Sequence, residues 1–225
     1  MKLLKLKIIF LAAVMFLPAG CFNSKKSAVA DAFENFSGPC VLYVSKKNFT
    51  LEVFNRDLQS LAVYRIAYGK NKDRGPKRYE GDNRTPEGIL HVTEILSMDA
   101  GKKSPAYRKL KKMNEYYFTA AHGHHRVGKP KVDLGDNAFG PRFFLLSYPR
   151  KEDIEAFEEL DKKGLVPPYK GRKATAGGGI AIHGNNEPES MGHLASGGCI
   201  RMLNNDIVEM DQYIRIGTPV IISPD

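Results

Sequence analysis

Alternation of apolar and polar residues organises the first third of the chain. In Phe49–Phe54, the apolar residues Phe49, Leu51 and Val53 alternate with Thr50 and Glu52, as expected of a strand with one face buried. Val41–Ser45 precedes it across the polar segment Lys46–Asn48, which has the length of a hairpin loop. Leu61–Tyr68 follows and is rich in residues that favour strands. These three segments predict an antiparallel sheet at the start of the fold.

The rest of the pattern mixes short strands with amphipathic helices. A strand is predicted at Ile89–Leu96, directly after Thr85–Gly88, where proline fixes φ and glycine accepts the positive φ of a tight turn. A helix is predicted at Arg150–Lys163, and its apolar stripe of Ile154, Phe157 and Leu160 is expected to join the core. The remaining predicted elements are helices at Tyr107–Glu115 and Asn205–Ile214 and a strand at Pro219–Ser223.

The first twenty residues predict an export signal. Lys2, Lys5 and Lys7 precede the apolar stretch Ile8–Leu17, whose ten or so residues are too few to span a bilayer. Leu17–Cys21 resembles a bacterial lipoprotein box, in which the cysteine is lipidated and becomes the N-terminus. We therefore favour an exported lipoprotein of the periplasm or cell envelope. The lipid on Cys21 would anchor it to the membrane.

A second processing site competes with Cys21. Ala28-Val29-Ala30 is a cleavage signature of the A-x-A type, although it lies far beyond the apolar stretch. Either site places the mature chain outside the cytoplasm. Residues 21–38 are polar and rich in small side chains, which favours a tether ahead of a single domain at 39–225.

Charge and cysteine content narrow the partners. The formal net charge of +9 falls to about +6 once the three lysines of the signal are removed. Export and the absence of a basic-aromatic strand motif argue against nucleic acid as the binding partner, so an acidic polymer of the envelope fits better.

If Cys21 carries lipid, only Cys40 and Cys199 remain, and we expect both to be thiols, with Cys40 in the core.

The segment from Ile180 to Asn204 carries the candidate chemistry. His183 ends an apolar run behind three glycines, and Cys199 follows sixteen residues later behind two glycines. A cysteine is a strong nucleophile as thiolate, and an imidazole within hydrogen-bond reach can take its proton. The two residues together therefore predict a nucleophile and its base.

The turn Ser196–Cys199 adds the other requirements of acyl transfer. Backbone N–H groups in such a glycine turn can form an anion-binding nest, so the amides of Gly197, Gly198 and Cys199 are the predicted oxyanion hole. Arg201 is a fixed cation for a substrate carboxylate. We predict Arg201 and Ser196 as the substrate-binding residues.

These motifs resemble the catalytic domain of the bacterial L,D-transpeptidases, which cross-link peptidoglycan. The resemblance rests on Ile-His-Gly at 182–184, Ser-x-Gly-Cys-Ile-Arg-Met at 196–202, Asn-x-Asp at 204–206 and Gly-Thr-Pro-Val at 217–220, and it extends over about Val41 to Ser223. It implies a mainly β fold, a β-sandwich or mixed sheet with a few short peripheral helices, and a catalytic domain at 39–225.

The resemblance also implies residue roles and a substrate. Cys199 would be the acylated nucleophile, His183 its base, and the carbonyl of Gly184 the group that orients the imidazole. The substrate would be a peptidoglycan stem peptide, attacked at the carbonyl of its third residue, diaminopimelate. Most members carry histidine where this chain has Gly197, so this position can supply an amide but no side-chain contact.

Several alternatives stay open at this stage. The acyl acceptor can be an amine of a second stem, a lysine of an envelope protein, or water, which would make the protein a carboxypeptidase or amidase. Gly197 leaves room for an inactive wall-binding lipoprotein, and sortases combine similar residues at a different spacing. The histidines of His122–His125 suggest a metal site, because clustered imidazoles can bind zinc. No cysteine or second histidine pair lies at the spacing of metal ligands, so neither a metal nor a cofactor is expected. The loop His122–Gly128 and the charged segment Gly69–Asn83 are the predicted walls of the cleft.

Overall fold

A computed structural model describes residues 20–224, with side chains from residue 25 onward. The predicted signal lies outside the described residues except for Gly20, and the side chain of Cys21 lies outside the described side chains. The helices are α1 Gly20–Glu34, α2 Pro105–Asn114, α3 Lys151–Lys162 and α4 Asn204–Met210. The strands are β1 Cys40–Ser45, β2 Thr50–Asn55, β3 Ser60–Gly69, β4 Gly88–Ser97, β5 His125–Arg126, β6 Lys129–Asp133, β7 Arg142–Leu146, β8 Ala181–His183, β9 Leu194–Ser196, β10 Ile200–Met202 and β11 Pro219–Ser223.

Nine strands form one mixed sheet that closes on itself. Their order is β10-β8-β7-β4-β11-β1-β2-β3-β9, and β10 also pairs with β3. β1 to β3 are antiparallel as predicted, whereas β1/β11, β8/β10 and β3/β9 are parallel pairs. The mainly β, mixed-sheet fold with short helices is therefore confirmed. Closure brings the short strands β8, β9 and β10 together, and these strands carry or flank the candidate residues.

The main core fills the space that this sheet encloses. Strands β1 to β4, β7, β8, β10 and β11 each contribute buried apolar side chains, and α4 closes the core with Ile207 and Met210. Cys40 belongs to this core and is a free thiol, as predicted. Removing this apolar surface from water is the dominant favourable term for the fold. The core thus holds β8 and β10 as rigid supports for the site.

The prediction that the apolar stripe of α3 is core is wrong. Helix α3 forms where expected, but none of its residues is buried and Ile154 is 41% exposed. Polar contacts anchor the helix instead. Arg150 donates to Asp153 at 2.8 Å and to the carbonyl of Glu87 at 2.8 Å, which fixes the start of the helix against the turn before β4. Its apolar stripe therefore lies half-buried at the surface.

The segment predicted as a tether is for the most part a helix that packs on the sheet. Val29, Ala32 and Phe33 of α1 form a second apolar cluster with side chains of β1, β2 and β11. Lys25 also pairs with Glu52 of β2. These contacts bury one face of α1, so only the residues between Glu34 and β1 link without regular structure. Within residues 20–224, no helix combines the length and apolarity needed to cross a bilayer.

Candidate active site

His183 occupies the last position of β8, where the rigid strand presents its ring to a cleft. Gly177 and Gly179 of the preceding glycine run adopt positive φ, which lets the chain turn sharply into the strand. The ring is 4% exposed, and its Nδ1 lies 2.5 Å from the carbonyl oxygen of Gly184. Because a carbonyl only accepts, Nδ1 must carry the proton, and Nε2 is left with the lone pair that a base needs.

Two phenylalanines fix the plane of this ring. Phe143 of β7 stacks on His183 with ring centroids 5.8 Å apart and planes at 18°. Phe139 meets it edge-on at 5.2 Å. Sequence reasoning did not assign either residue to the site, because an aromatic in a predicted strand and one in a loop carry no signal of what they face.

The register between β8 and β10 places Cys199 beside His183. Arg201 pairs with His183 and Ile200 with Ile182 in this parallel pair. Side chains alternate along a strand, so Cys199, two residues before Arg201, lies on the face that carries His183. Both residues line one cavity of about 110 Å³. The structure therefore brings together the two residues that the sequence predicted as a pair.

The thiol of Cys199 is half-buried and makes its own backbone contacts. Its Sγ donates to the carbonyl of Gly179 at 3.4 Å and receives the N–H of Ala181. The thiol proton is thus directed to a carbonyl rather than to Nε2 of His183. Hydrogen bonds of catalytic pairs commonly form only once substrate is bound.

Burial keeps both members of the pair uncharged. Burial, followed by the positive charge of Arg201, lowers the pKa of His183 to about 3. Burial also raises the pKa of the Cys199 thiol, with partial relief from the Ala181 amide and the charges of Arg201 and Lys77. Near neutral pH the site therefore holds a thiol and a neutral imidazole rather than a thiolate and an imidazolium.

The turn before Cys199 requires glycine at position 198. Gly198 has φ +140°, and a Cβ there would lie 2.8 Å from the carbonyl oxygen of Arg84. Its amide donates to the Ser196 hydroxyl at 3.0 Å. The amide of Gly198 is thus used within the turn in this geometry, and its role as an oxyanion donor stays a prediction. The amides of Gly197 and Cys199 have no such partner in the turn and remain the candidate donors.

Ser196 shapes this turn from inside. Its hydroxyl accepts from the amide of Gly198 and donates to the carbonyl of Cys199, and the residue is 2% exposed. Both functions of the hydroxyl are used within the turn. The structure therefore gives Ser196 a positioning contact in place of the predicted contact with substrate.

Thr85 connects the same turn to the sheet. Its hydroxyl donates to the carbonyl of Gly198 at 2.8 Å and accepts from the amide of Gly69, the last residue of β3, at 2.9 Å. Thr85 is 1% exposed. The sequence indicated only a turn at Thr85–Gly88, because local chemistry does not reveal which distant backbone groups a hydroxyl meets.

Arg201 is buried and already has a carboxylate partner. Its Nη1 lies 3.2 Å from Oε2 of Glu187, which is completely buried. Oε1 of the same carboxylate accepts from the amide of Val127 at 2.5 Å. The Nε of Arg201 has no hydrogen-bond partner. Glu187 was not predicted from the sequence, since a single acid in a polar loop resembles a solvated residue.

Both predicted walls line the cleft. A second cavity of about 200 Å³ adjoins the first and shares Gly197, His124, Leu134 and Arg201 with it. Its remaining lining comes largely from Gly69–Asn83 and from His122–His125. Across residues 20–224, no group of three or more histidine, cysteine, aspartate or glutamate side chains could hold a metal ion.

Comparison with known proteins places this site in a family. The family model for the YkuD-type L,D-transpeptidase catalytic domain matches residues 40–222. This match covers most of the chain, which therefore belongs to the L,D-transpeptidase catalytic domain family.

Relatives with the same family name match over shorter stretches. YqjB of Bacillus subtilis is 40% identical over 78 residues, which are 35% of this chain and 44% of that protein. YkuD of Bacillus licheniformis is 49% identical over 43 residues, which are 19% of this chain and 26% of that protein. Both carry the name L,D-transpeptidase. The chain thus spans less than half the length of these relatives.

Solved structures align with most of this chain at low sequence identity. Bd1075 of Bdellovibrio bacteriovorus aligns with a TM-score of 0.47 at 23% identity, over 83% of this chain and 48% of that chain. L,D-transpeptidase 3 of Mycobacterium tuberculosis, solved with a faropenem-derived adduct, aligns with a TM-score of 0.44 at 13% identity, over 82% of this chain and 60% of that one.

Replacing Thr85 by valine tests whether its hydroxyl supports the turn. The variant keeps the shape but leaves the amide of Gly69 and the carbonyl of Gly198 without a partner in a buried place, at a cost of about 1–3 kcal/mol for each group. Urea unfolding should show this loss, and iodoacetamide should label Cys199 faster. The control is Thr93→Val, whose hydroxyl makes an exposed 3.3 Å contact. Equal stability of the two variants would contradict the bridging role.

The acid stability of the protein should report the buried imidazole of His183. The unfolded chain takes up this proton near pH 6.5 but the folded chain only near pH 3. Stability from this group is therefore complete above about pH 6.5 and declines as the pH falls, by at most about 1.4 kcal/mol per pH unit. In His183→Gln, the free energy of unfolding measured in urea should fall less steeply between pH 6.5 and 3.5. The control is His91→Gln, which changes an exposed residue of β4. An unchanged slope in His183→Gln would show that the imidazole is not held neutral.

Proposed function

We propose that the protein is an acyltransferase that acts on peptidoglycan stem peptides through a thioester on Cys199. The observation that carries this proposal is that Cys199 and His183 line one cavity, where β8 ends and the glycine turn leads into the paired strand β10. Membership of the L,D-transpeptidase family supports the substrate class.

The first half-reaction begins with a neutral pair. The thiol exchanges the carbonyl of Gly179 for Nε2 of His183 as its acceptor. Sγ attacks the carbonyl carbon of diaminopimelate, the third residue of the stem, while Nε2 takes the thiol proton. Because His183 is a weak base in this buried setting, proton transfer accompanies the attack rather than precedes it.

The amides of Gly197 and Cys199 stabilise the charge that develops on the carbonyl oxygen. Donors aimed at a developing oxyanion contribute roughly 2.7–4 kcal/mol each. The intermediate collapses when the C–N bond to the terminal D-residue breaks and the imidazolium returns its proton to the leaving amine. The product is a thioester on Cys199 and a free D-amino acid.

The second half-reaction decides what the enzyme makes. An acceptor amine gives up a proton to Nε2 of His183 and attacks the thioester carbonyl, and the Cys199 thiolate leaves and is reprotonated. An amine from a second stem yields a direct cross-link, and a lysine of an envelope protein yields anchoring of that protein. Water in the same position yields carboxypeptidase or amidase action. We favour the amine acceptor, with water as the second candidate.

Position and orientation of the substrate depend on the same elements. Arg201 pairs with His183 across β8 and β10, lines the cleft and is the proposed cation for a substrate carboxylate, while its Nη1 stays with Glu187. The carbonyl of Gly184 keeps the imidazole in the tautomer that the reaction needs. In the cell, the predicted export signal and a lipid on Cys21 would hold the domain at the membrane beside its polymer.

Cell-wall composition tests both the function and the acceptor. Sacculi from cells that carry either the wild-type protein or Cys199→Ala are digested and their fragments profiled. We expect direct diaminopimelate-to-diaminopimelate links or protein-linked fragments with the wild type only. Cys40→Ala, which removes a core thiol outside the cleft, is the control and should behave as wild type.

Two other outcomes have defined meanings. Loss of tripeptides and accumulation of tetrapeptides in the Cys199→Ala strain, with links unchanged, would show hydrolysis in place of transfer. Identical fragments in the two strains would contradict the enzymatic proposal and favour an inactive wall-binding lipoprotein. Cleavage of a sorting peptide but not of stem peptides would favour a sortase-like transpeptidase.

A further inference from the structure

The second cavity of the cleft has the character of a binding chamber in its own right. It holds about 200 Å³ and opens onto the cavity of Cys199 past Gly197, which lines both. Gly197 leaves this junction unobstructed. A Cβ at this position would have only the Asn83 side chain near it, at 3.9 Å, so a larger side chain would take up space between the two cavities. A substrate that reaches Cys199 can therefore extend a second group into this chamber.

The lining of this chamber carries uncompensated positive charge. Lys70, Lys170 and Arg201 line it, and none of its lining residues is acidic. Glu187 offsets the charge of Arg201 from behind at 3.2 Å. Lys70 and Lys170 form no ion pair with any residue in the described part of the chain. The two lysines thus leave a net positive surface in the chamber that adjoins the cavity of Cys199.

Lys70 is held in place by the fold rather than free at the surface. Its amide donates to the carbonyl of Ser196 at 2.8 Å, at the start of the nucleophile turn. Its ammonium donates to the carbonyl of Gly123 at 2.7 Å and has further donors to offer. Burial, together with the charge of Arg201, lowers the pKa of Lys70. A partly buried ammonium group with no anionic partner is typical of a site that binds an anion.

Two further groups point to the same ligand chemistry. The buried Nε of Arg201 has no hydrogen-bond partner. His124 stands between the chambers, and burial and the charges of Lys70, Lys170 and Arg201 lower its pKa. These observations identify the chamber as a place where several cations converge on a small space that an anion would stabilise.

We propose that this chamber binds a free carboxylate of the stem peptide, and that Lys70 and Lys170 thereby select stems whose carboxylate is not amidated. The proposal rests on the proposed function, since it places the carboxylate next to the carbonyl that Cys199 attacks. A carboxylate accepts charge-assisted hydrogen bonds from both ammonium groups. A carboxamide is neutral and brings an N–H₂ group that two lysines and an arginine cannot accept.

Binding to a protein that cannot react tests the chamber without relying on turnover. Calorimetry measures the Kd of Cys199→Ala for a tetrapeptide stem with all carboxylates free, and for two analogues that are amidated at D-glutamate or at the D-centre of diaminopimelate. One of the two analogues should bind about tenfold or more weakly. Adding Lys70→Met or Lys170→Met should weaken binding of the free stem by a similar factor and leave binding of that analogue within twofold.

Control variants separate this role from a structural one. Lys151→Met removes the same charge from exposed α3, lines no part of the cleft and should change neither Kd. Lys70→Arg should restore part of the preference. The exposed Lys170 is the variant that carries little risk to folding.

The outcomes that overturn the proposal are distinct from failure of the proposed function. Equal Kd for the free stem and both analogues, or an equal loss on all three when Lys70 or Lys170 is replaced, would show that the chamber selects no carboxylate. Turnover by the Cys199→Ala protein would remove the thioester mechanism but would leave the binding result standing. Absence of stem binding by every variant would overturn both proposals.

Discussion

The hydroxyl of Thr85 connects the turn that carries Cys199 to the end of β3, and the geometry of the site depends on this contact. A hydroxyl can accept one hydrogen bond while it donates another, and Thr85 uses both capacities, toward the amide of Gly69 and the carbonyl of Gly198. Ser196 adds a second pair of contacts inside the turn. Because these groups are buried, each would cost free energy if left unpaired. The turn is thereby fixed where Gly197 and Cys199 line the cleft.

Burial has a second consequence, which is the charge state of the reacting pair. A thiol and a neutral imidazole are the stable forms where water is excluded, so the site stores no thiolate. The positive charge of Arg201 reinforces the neutral imidazole but favours the thiolate, so burial is what keeps the thiol protonated. Glu187 prevents the buried charge of Arg201 from being left unpaired. Protection of the nucleophile until substrate arrives follows from the same environment that raises its pKa. The lysines on the far side of Gly197 extend this electrostatic arrangement toward the substrate.

Sequence and structure agree where the signal is local. Alternation identified β2, while hairpin and turn signals and strand-favouring residues identified β1, β3 and β4. The motif around His183 and Cys199 located the pair, with His183 at the end of β8 and Cys199 just before β10. The stripe on α3 misled, since amphipathicity shows that one face is apolar but does not show what covers it. Glu187 escaped prediction because a single acid in a polar loop resembles a solvated residue. The closure of the sheet depends on a pairing of β10 with β3 across more than one hundred residues.

The most direct test of this account is to find where the acyl group resides. The protein is mixed with a tetrapeptide stem in the absence of acceptor amine, quenched in acid within seconds, and its peptides are mapped by mass. The account predicts the acyl tripeptide on the fragment that contains Cys199, removable by hydroxylamine and absent from the fragment that contains Cys40. Release of the terminal D-residue without an adduct on Cys199, or with an adduct elsewhere, would contradict it.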